Sequence, residues 1–294
     1  MVSEYYTGLL VFTCVNIIVT AGLYLLIGGT GLVSFGQAGF LAIGAYTSGL
    51  LTTRLEWPFV LGLIGAVAVS MLVGVGIGYP TLKLRREYFA LATMGVGEAI
   101  RALISALPNL TGGSVGLSGI PQETSAWLAV LFAFMAIVLV RNYLKSKFGR
   151  NALAIKTDEL AAKAIAINVF SQKQLIFAIT CGLSGLAGAL LAHYITYIDP
   201  SMFDWNRSAE LVTIVFVGGL GSLTGGVIAA VGVTLLPEVL RFANEARFLV
   251  YSLVVLLVII YRPGGLFGNH ELSWQGLVRL WRKVSGSTRK EGAA

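Results

Sequence analysis

Apolar residues in this chain come in long uninterrupted blocks. From Tyr5 to Thr53 there is no Asp, Glu, Lys, Arg or His, further charge-free runs cover 57–82, 124–140 and 211–237, and 174–198 contains only His193. A bilayer-spanning helix needs about 20 apolar residues, and soluble helices are rarely apolar on every face over such lengths. The pattern predicts an all-α polytopic membrane protein. Spans are expected near 6–27, 31–52 (after the Gly28-Gly29 pair), 58–78, 88–107, 126–144, 174–197 and 248–261. The stretch 211–242 is long for one span and short for two, and Gly218, Gly219, Gly221, Gly225 and Gly226 interrupt it. It reads as a tight hairpin or a re-entrant pair of half-helices, which brings the expectation to about 8–9 membrane segments, some broken or re-entrant.

Composition agrees with that reading. The 294 residues are 56% hydrophobic and 12% charged, against roughly a quarter charged in soluble proteins, and the mean hydropathy is +0.81. The net charge of +7 does not point to nucleic acid, because the basic residues sit in short loops between apolar blocks and act as topology signals. Lys83, Arg85 and Arg86 form one group; Lys145, Lys147, Arg150, Lys156, Lys163 and Lys173 form another. Placing both in the cytoplasm leaves the loops at 54–56, 108–124 and 198–210 outside, with an external N-terminus and a cytoplasmic C-terminus. Cys14 and Cys181 lie in apolar segments, which argues against a disulfide framework or metal site. The opening MVSEYY lacks the basic region of a secretory signal, so the first span is expected to stay in the mature protein. Residues 1–268 read as one transmembrane domain, and 269–294 as a basic cytoplasmic tail. In the tail Leu272, Trp274, Leu277, Trp281 and Val284 recur at near-helical spacing, giving either an amphipathic surface helix or a frayed end.

No phosphate-binding G-x-x-x-x-G-K-[ST] loop and no metal-ligand spacing is present. Any nucleotide chemistry must come from a partner. The segment GRNALAIKTDELAAKAIAINV (149–169) predicts a short surface helix over 158–166. Thr157 is its expected N-cap, Asp158 and Glu159 stand at its positive end, and Ala161, Ala162 and Ile165 form a small apolar face. This loop resembles the coupling loop of bacterial ABC importer permeases, whose pattern is Glu-Ala-Ala, three residues, then Gly. Ala161 and Ala162 match; Glu159 sits one place early, and Ala166 stands in the Gly position. Read without the resemblance, the same helix is an ordinary interfacial one.

Six further blocks, in order, resemble branched-chain amino-acid ABC permeases: GGTGLVSFGQAGFLAIGAY, REYFALATMGVGEAIR, TGGSVGLSGIP, GLSGLAGALLAHYITYIDPSMF, VFVGGLGSLTGG and YRPGGLFG. The second and third are closer to the LivM type than to its sister LivH type. The resemblance implies a type II ABC importer fold, a LivH-like second permease, two ATP-binding subunits, a periplasmic solute-binding protein, and a bacterial inner-membrane location. It implies no cofactor in this chain, with ATP and magnesium bound by the partner subunits. Tyr24 stands where many relatives have Asn, and Gln37 where many have His. Urea permeases share most of these motifs, so urea or a short amide is the alternative substrate. A secondary transporter or channel working without ATPases is the alternative class.

Two Gly-broken segments point to a pathway, because interrupted helices free backbone groups that can line a polar site. Gly31, Ser34, Gly36 and Gln37 are the candidates in the first, Gly219, Gly221 and Ser222 in the second; close helix packing is the alternative role for these glycines. Glu98 lies ~15 Å into its span at 1.5 Å per residue, and Arg101, three residues on, is its expected partner, either as a structural pair or on the pathway. Thr111, Gly112, Gly113 and Ser114 in an external loop either meet incoming solute or form a capped turn. His193 is expected to be packed or interfacial, not a metal ligand.

Overall fold

The structure is a computed structural model that describes residues 2–239 and, beyond them, 252–253, 256–258, 260–262 and 264–265. Its helices in chain order are α1 (Val2–Thr30), α2 (Gln37–Arg54), α3 (Phe59–Thr81), α4 (Arg86–Ser105), α5 (Pro108–Thr111), α6 (Ala126–Lys145), α7 (Lys147–Thr157), α8 (Glu159–Ala164), α9 (Val169–Ile195), α10 (Trp205–Gly218) and α11 (Leu223–Val239). By length and apolarity four of these can cross a membrane: α1, α3, α6 and α9. The bent pair formed by α4 and the α5 segment, with 78° between its parts, makes a fifth if counted as one span.

Burial sorts these helices into two shells. The spanning windows of α1 and α9 are 89% and 83% buried, those of α3 and α6 only 28% and 22%. The first two are therefore interior and the second two form an outer wall, whose apolar surface suits lipid. α9 packs against α1, α2 and α3. Its meeting with α2 is backbone on backbone: a Cβ on Gly44 would lie 2.0 Å from the Gly185 carbonyl oxygen, and one on Gly188 1.9 Å from that of Leu41. In a membrane, where water gives no hydrophobic drive between helices, such small-residue contact is what holds helices together. Between α3, α6 and α9 runs an open groove of about 690 Å³ lined by apolar side chains such as Ile64, Met71, Phe134 and Leu186.

The second helix starts later than the expected span. Residues 31–36 are non-helical, and α2 begins at Gln37. The described part of the 211–242 stretch, to residue 239, lies in a helical hairpin: α10 is 14 residues and α11 is 17, about 21 and 26 Å at 1.5 Å per residue, each short of a hydrocarbon core of about 30 Å. Of the last predicted span, residues 252–253, 256–258 and 260–261 are described and helical; the predicted tail helix in 269–294 lies outside the described residues. At the end of the molecule opposite the basic loops, the α4–α6 and α9–α10 connections are stitched by a two-stranded antiparallel ladder, β1 (Leu117–Ser118) against β2 (Tyr197–Ile198), with Leu117 opposite Ile198.

Candidate functional site: a polar seam at two chain breaks

The first break is largely buried and is cross-linked by hydrogen bonds. Gly31 leaves α1 at φ +71°, in the left-handed region glycine tolerates. Backbone donors at 35 and 38 are met by side chains of two other helices. Phe35 N–H donates to Thr93 Oγ1 (3.2 Å) of α4, and Ala38 N–H to Ser208 Oγ (3.0 Å) of α10. Gln37, with no exposure, donates through Nε2 to Ser34 Oγ (3.3 Å) and accepts from Ser184 Oγ (2.7 Å) of α9. Gly36 is required sterically, since a Cβ would lie 2.4 Å from the Thr93 carbonyl oxygen. Ser34, Gly36 and Gln37 thus come together, while Gly31 sits at the end of α1.

The second break, 219–222, turns between α10 and α11. Gly219 holds φ +106°. Ser222, fully buried, accepts at Oγ from Gly225 N–H (3.1 Å) and so caps α11. Gly265 packs on this turn: a Cβ there would be 2.2 Å from Gly219 Cα. Gly221 is half-buried in the same turn. The turn lies beside the end of α1, where a Cβ on Gly28 would be 3.3 Å from the Leu220 carbonyl oxygen. Lys156 of α7 reaches the same carbonyl with Nζ at 3.5 Å, and its own carbonyl accepts from Arg86 Nη2 at 3.4 Å. Two cations therefore converge where α1 ends, against the negative pole of that helix. Burial, and then the neighbouring Arg86 charge, pull the Lys156 ammonium below its ordinary pKa.

Above this level lie two ion pairs. Glu98 Oε2 accepts from Arg101 Nε at 2.8 Å and Nη2 at 2.7 Å. Arg207 Nη1 donates to Glu210 Oε2 at 2.7 Å and Nη2 to Asn16 Oδ1 at 2.5 Å, while Asn16 Nδ2 donates to Thr234 Oγ1 at 2.8 Å. Glu98 is about 18 Å from the start of α4 and Arg207 about 17 Å from the end of α10, by helical rise. Both ends gather around Lys156, so the pairs lie at matching depth on antiparallel helices. Between them the Phe35 and Trp205 rings meet at 5.7 Å, tilted by 42°, and the cleft bounded by Phe35, Glu98, Asp204 and Trp205 is closed, with ≈ 0 Å³ of cavity. Sequence reasoning missed Asn16, Arg207, Glu210 and Thr234 as a group. The available signal was Asn16, a carboxamide in the middle of a 29-residue apolar helix, where a polar group needs a partner.

The basic loop is more ordered than expected. Helix α7 fills 147–157, and the cap of α8 is Asp158, whose Oδ1 accepts from Leu160 N–H (2.8 Å) and Ala161 N–H (3.1 Å). Thr157 is not the cap: it ends α7, its hydroxyl donating to the Leu153 carbonyl at 3.0 Å. The predicted apolar face also divides. Ala162 is buried against Ile155 and Val169, whereas Leu160, Ala161 and Ile165 face outward, Leu160 at 77% and Ile165 at 69% exposure. Glu159 ties α8 to α9 through Lys173 Nζ at 2.6 Å and also pairs with Lys163 at 3.4 Å. Burial raises the Glu159 pKa, but the hydrogen bond and charge of Lys173, helped by Lys163, outweigh it and hold the carboxyl below its ordinary value. Ala166 takes φ +61°, the conformation that a glycine adopts freely.

In the loop after α4, Thr111 and Gly113 are buried and Ser114 is exposed. Thr111 Oγ1 donates to the Ile104 carbonyl (2.6 Å) and accepts from Gly113 N–H (3.2 Å), and Gly112 and Gly113 hold φ +79° and +60°. This is a capped turn. His193 is wholly buried, with Nδ1 3.0 Å from the Pro121 carbonyl and Nε2 2.9 Å from Ser48 Oγ. A carbonyl only accepts, so Nδ1 carries the proton and the Ser48 hydroxyl donates to Nε2. Among the described residues no group of three or more His, Cys, Asp or Glu can hold a metal.

Comparison with known proteins identifies the family. The family described as branched-chain amino acid transport system / permease component matches residues 5–261. The chain is 30% identical to the high-affinity branched-chain amino acid transport system permease protein LivM of Salmonella typhimurium, over 90% of this chain and 71% of that one. It is 29% identical to the Escherichia coli LivM protein over the same shares, and 23% identical to a probable LivM of Methanocaldococcus jannaschii over 92% of this chain and 95% of that one. No solved structure matches the chain. With nearly its whole length matched and its apolar helices arranged as a multi-pass membrane protein, the chain belongs to the family of branched-chain amino acid transport permease components.

Proposed function

We propose that this chain is one of two membrane subunits of a bacterial ATP-driven importer, and that it passes leucine, isoleucine and valine delivered by a periplasmic binding protein. ATP and magnesium are bound by two partner ATPases, since this sequence has no phosphate-binding loop. A LivH-like permease completes the pathway. The basic loops 83–87 and 145–173 face the cytoplasm and the N-terminus lies outside, in accord with the positive-inside rule.

The observation that carries the reading is the geometry of α8. It is a capped helix whose Leu160, Ala161 and Ile165 present an uncovered apolar face away from the protein, while Glu159 and Ala162 fasten its other side to α9 and α7. An ATPase groove seated on that face moves α7 and α8 as the ATPases close. Lys156, at the end of α7, passes the displacement to the α10–α11 turn and to α4 through Leu220 and Arg86. A zwitterionic solute meets paired charges of both signs, Glu98–Arg101 and Arg207–Glu210, with Phe35 and Trp205 offering apolar surface to its side chain.

Uptake of labelled leucine, isoleucine, valine and urea in cells with and without this subunit tests the substrate: loss of branched-chain uptake alone is expected, and loss of urea uptake alone would overturn it. Ala161→Arg tests the coupling. Because Ala161 is exposed, the variant inserts normally, and uptake is abolished. Normal uptake in that variant would rule out coupling through α8. Ala162 is unsuitable for this test because it is buried.

A further inference from the structure

We infer that the corner between α3 and α4 is a binding site for the phosphate headgroup of an anionic phospholipid. A pocket of about 420 Å³ opens there, its polar lining Lys83, Arg85, Arg86 and Lys173 with the carboxylates of Glu87 and Glu159. Four cations face two carboxylates, and Glu159 is already neutralised by Lys173 and Lys163. Among the described residues, Lys83, Arg85 and Arg86 form no ion pair with a carboxylate, and all three are exposed at the mouth. Lys173 is 7% exposed at the inner wall, and buried Leu32 and Leu82 supply an apolar floor.

The position of the pocket selects a lipid among possible anions. It stands at the end of α3, the outward-facing helix of the wall. There Lys83 Nζ lies 4.0 Å over the Tyr79 ring, and Tyr79 meets Phe170 edge to face at 5.7 Å. Tyr79 and Tyr88 are 58% and 60% exposed, and Leu84 beside them is exposed as well. Aromatic rings with flanking lysine and arginine mark the headgroup level of a membrane protein, and basic pockets between membrane helices at that level take phosphate headgroups. Arginine suits the role because its planar fork matches phosphate oxygens. The inference requires only that this corner lies at a membrane face, whichever solute is transported. A headgroup here sits beside the Glu159–Lys173 contact that fastens α8, so lipid occupancy bears on the coupling helix itself.

The test uses the purified full-length chain in detergent, exposed to equal amounts of phosphatidylglycerol and phosphatidylethanolamine, with retained lipid read by native mass spectrometry. Wild type should retain phosphatidylglycerol in preference. Lys83→Gln with Arg85→Gln should lower that retention by roughly tenfold or more, as each juxtamembrane cation contributes about a factor of five. Lys147→Gln with Arg150→Gln removes the same charge elsewhere and should leave retention unchanged. Equal loss in both pairs, or no loss in either, would overturn the site. If inorganic phosphate alone protects the chain against heat through Arg85 while phosphatidylglycerol does not, the pocket is a free-phosphate site and the lipid assignment falls. If the pocket pair keeps its lipid but no longer copurifies with the ATPase subunits, the surface belongs to a protein partner and the assignment also falls.

Discussion

Ala166 holds a left-handed backbone at φ +61° directly after α8. For a residue with a Cβ this costs roughly 1–2 kcal/mol, partly offset by the greater unfolded-state freedom of glycine, about 0.4–1 kcal/mol. Ala166→Gly should therefore stabilise the α8 turn by about 0.5 kcal/mol, read as slower hydrogen exchange of the α8 amides; faster exchange would contradict this account. The departure noted in the sequence, alanine where the coupling-loop pattern has glycine, falls at a backbone conformation that glycine adopts without strain. Gln37 gives the opposite case. It joins Ser34 to Ser184 with no exposure, and Gln37→Leu would leave both hydroxyls short of a partner at about 1–3 kcal/mol for a buried polar group. A clear fall in the thermal midpoint is expected, with Ser184→Ala in the same background recovering part of it.

At the scale of elements, the α2–α9 crossing depends on absent side chains. Gly44→Ala would place a methyl 2.0 Å from the Gly185 carbonyl oxygen, where the backbone offers no give. Overpacking of this kind costs about 1–3 kcal/mol and sometimes more, so the variant should be recovered from membranes in much lower yield than Gly76→Ala, which meets open space. The fastening of α8 to α9 is electrostatic and therefore pH-dependent. The Glu159 carboxyl titrates below its ordinary value in the folded chain, so its contribution is fully present above the unfolded pKa and is lost as pH falls through the lower, folded one. Hydrogen exchange of α8 should accelerate only under acid conditions below the usual carboxylate range. Glu159→Gln should show the faster exchange already at neutral pH, with no further acid response. These elements were visible in the sequence as a helix with acidic residues at its start. Its anchor, Lys173, was not, because the two residues are brought together only by the turn into α9.

For the whole molecule, the arrangement of basic loops makes orientation testable. Cys14 and Cys181 are buried, so introduced thiols can be read against a low background. In intact cells an impermeant maleimide should label Ser114→Cys and leave Lys147→Cys unlabelled until the membrane is opened; both positions are exposed. The reverse pattern would invert the proposed topology and with it the direction of coupling.

The apolar blocks by themselves determined that this is a multi-pass helical membrane protein, where its basic loops lie, and that the chain breaks near Gly31 and Gly219. Those properties follow from hydration: a charge-free run of sufficient length is more stable in lipid than in water whatever it packs against, and a glycine weakens a helix locally. The tertiary structure decided which breaks are polar and how they are satisfied. Thr93, Ser184 and Ser208 are unremarkable in the sequence, and each acquires its role from a group on another segment of the chain. The same holds for the split face of α8, with Ala162 turned in and Ala161 turned out. Long-range hydrogen bonds and helix faces depend on crossings between segments distant in the chain, and local propensity carries no record of them.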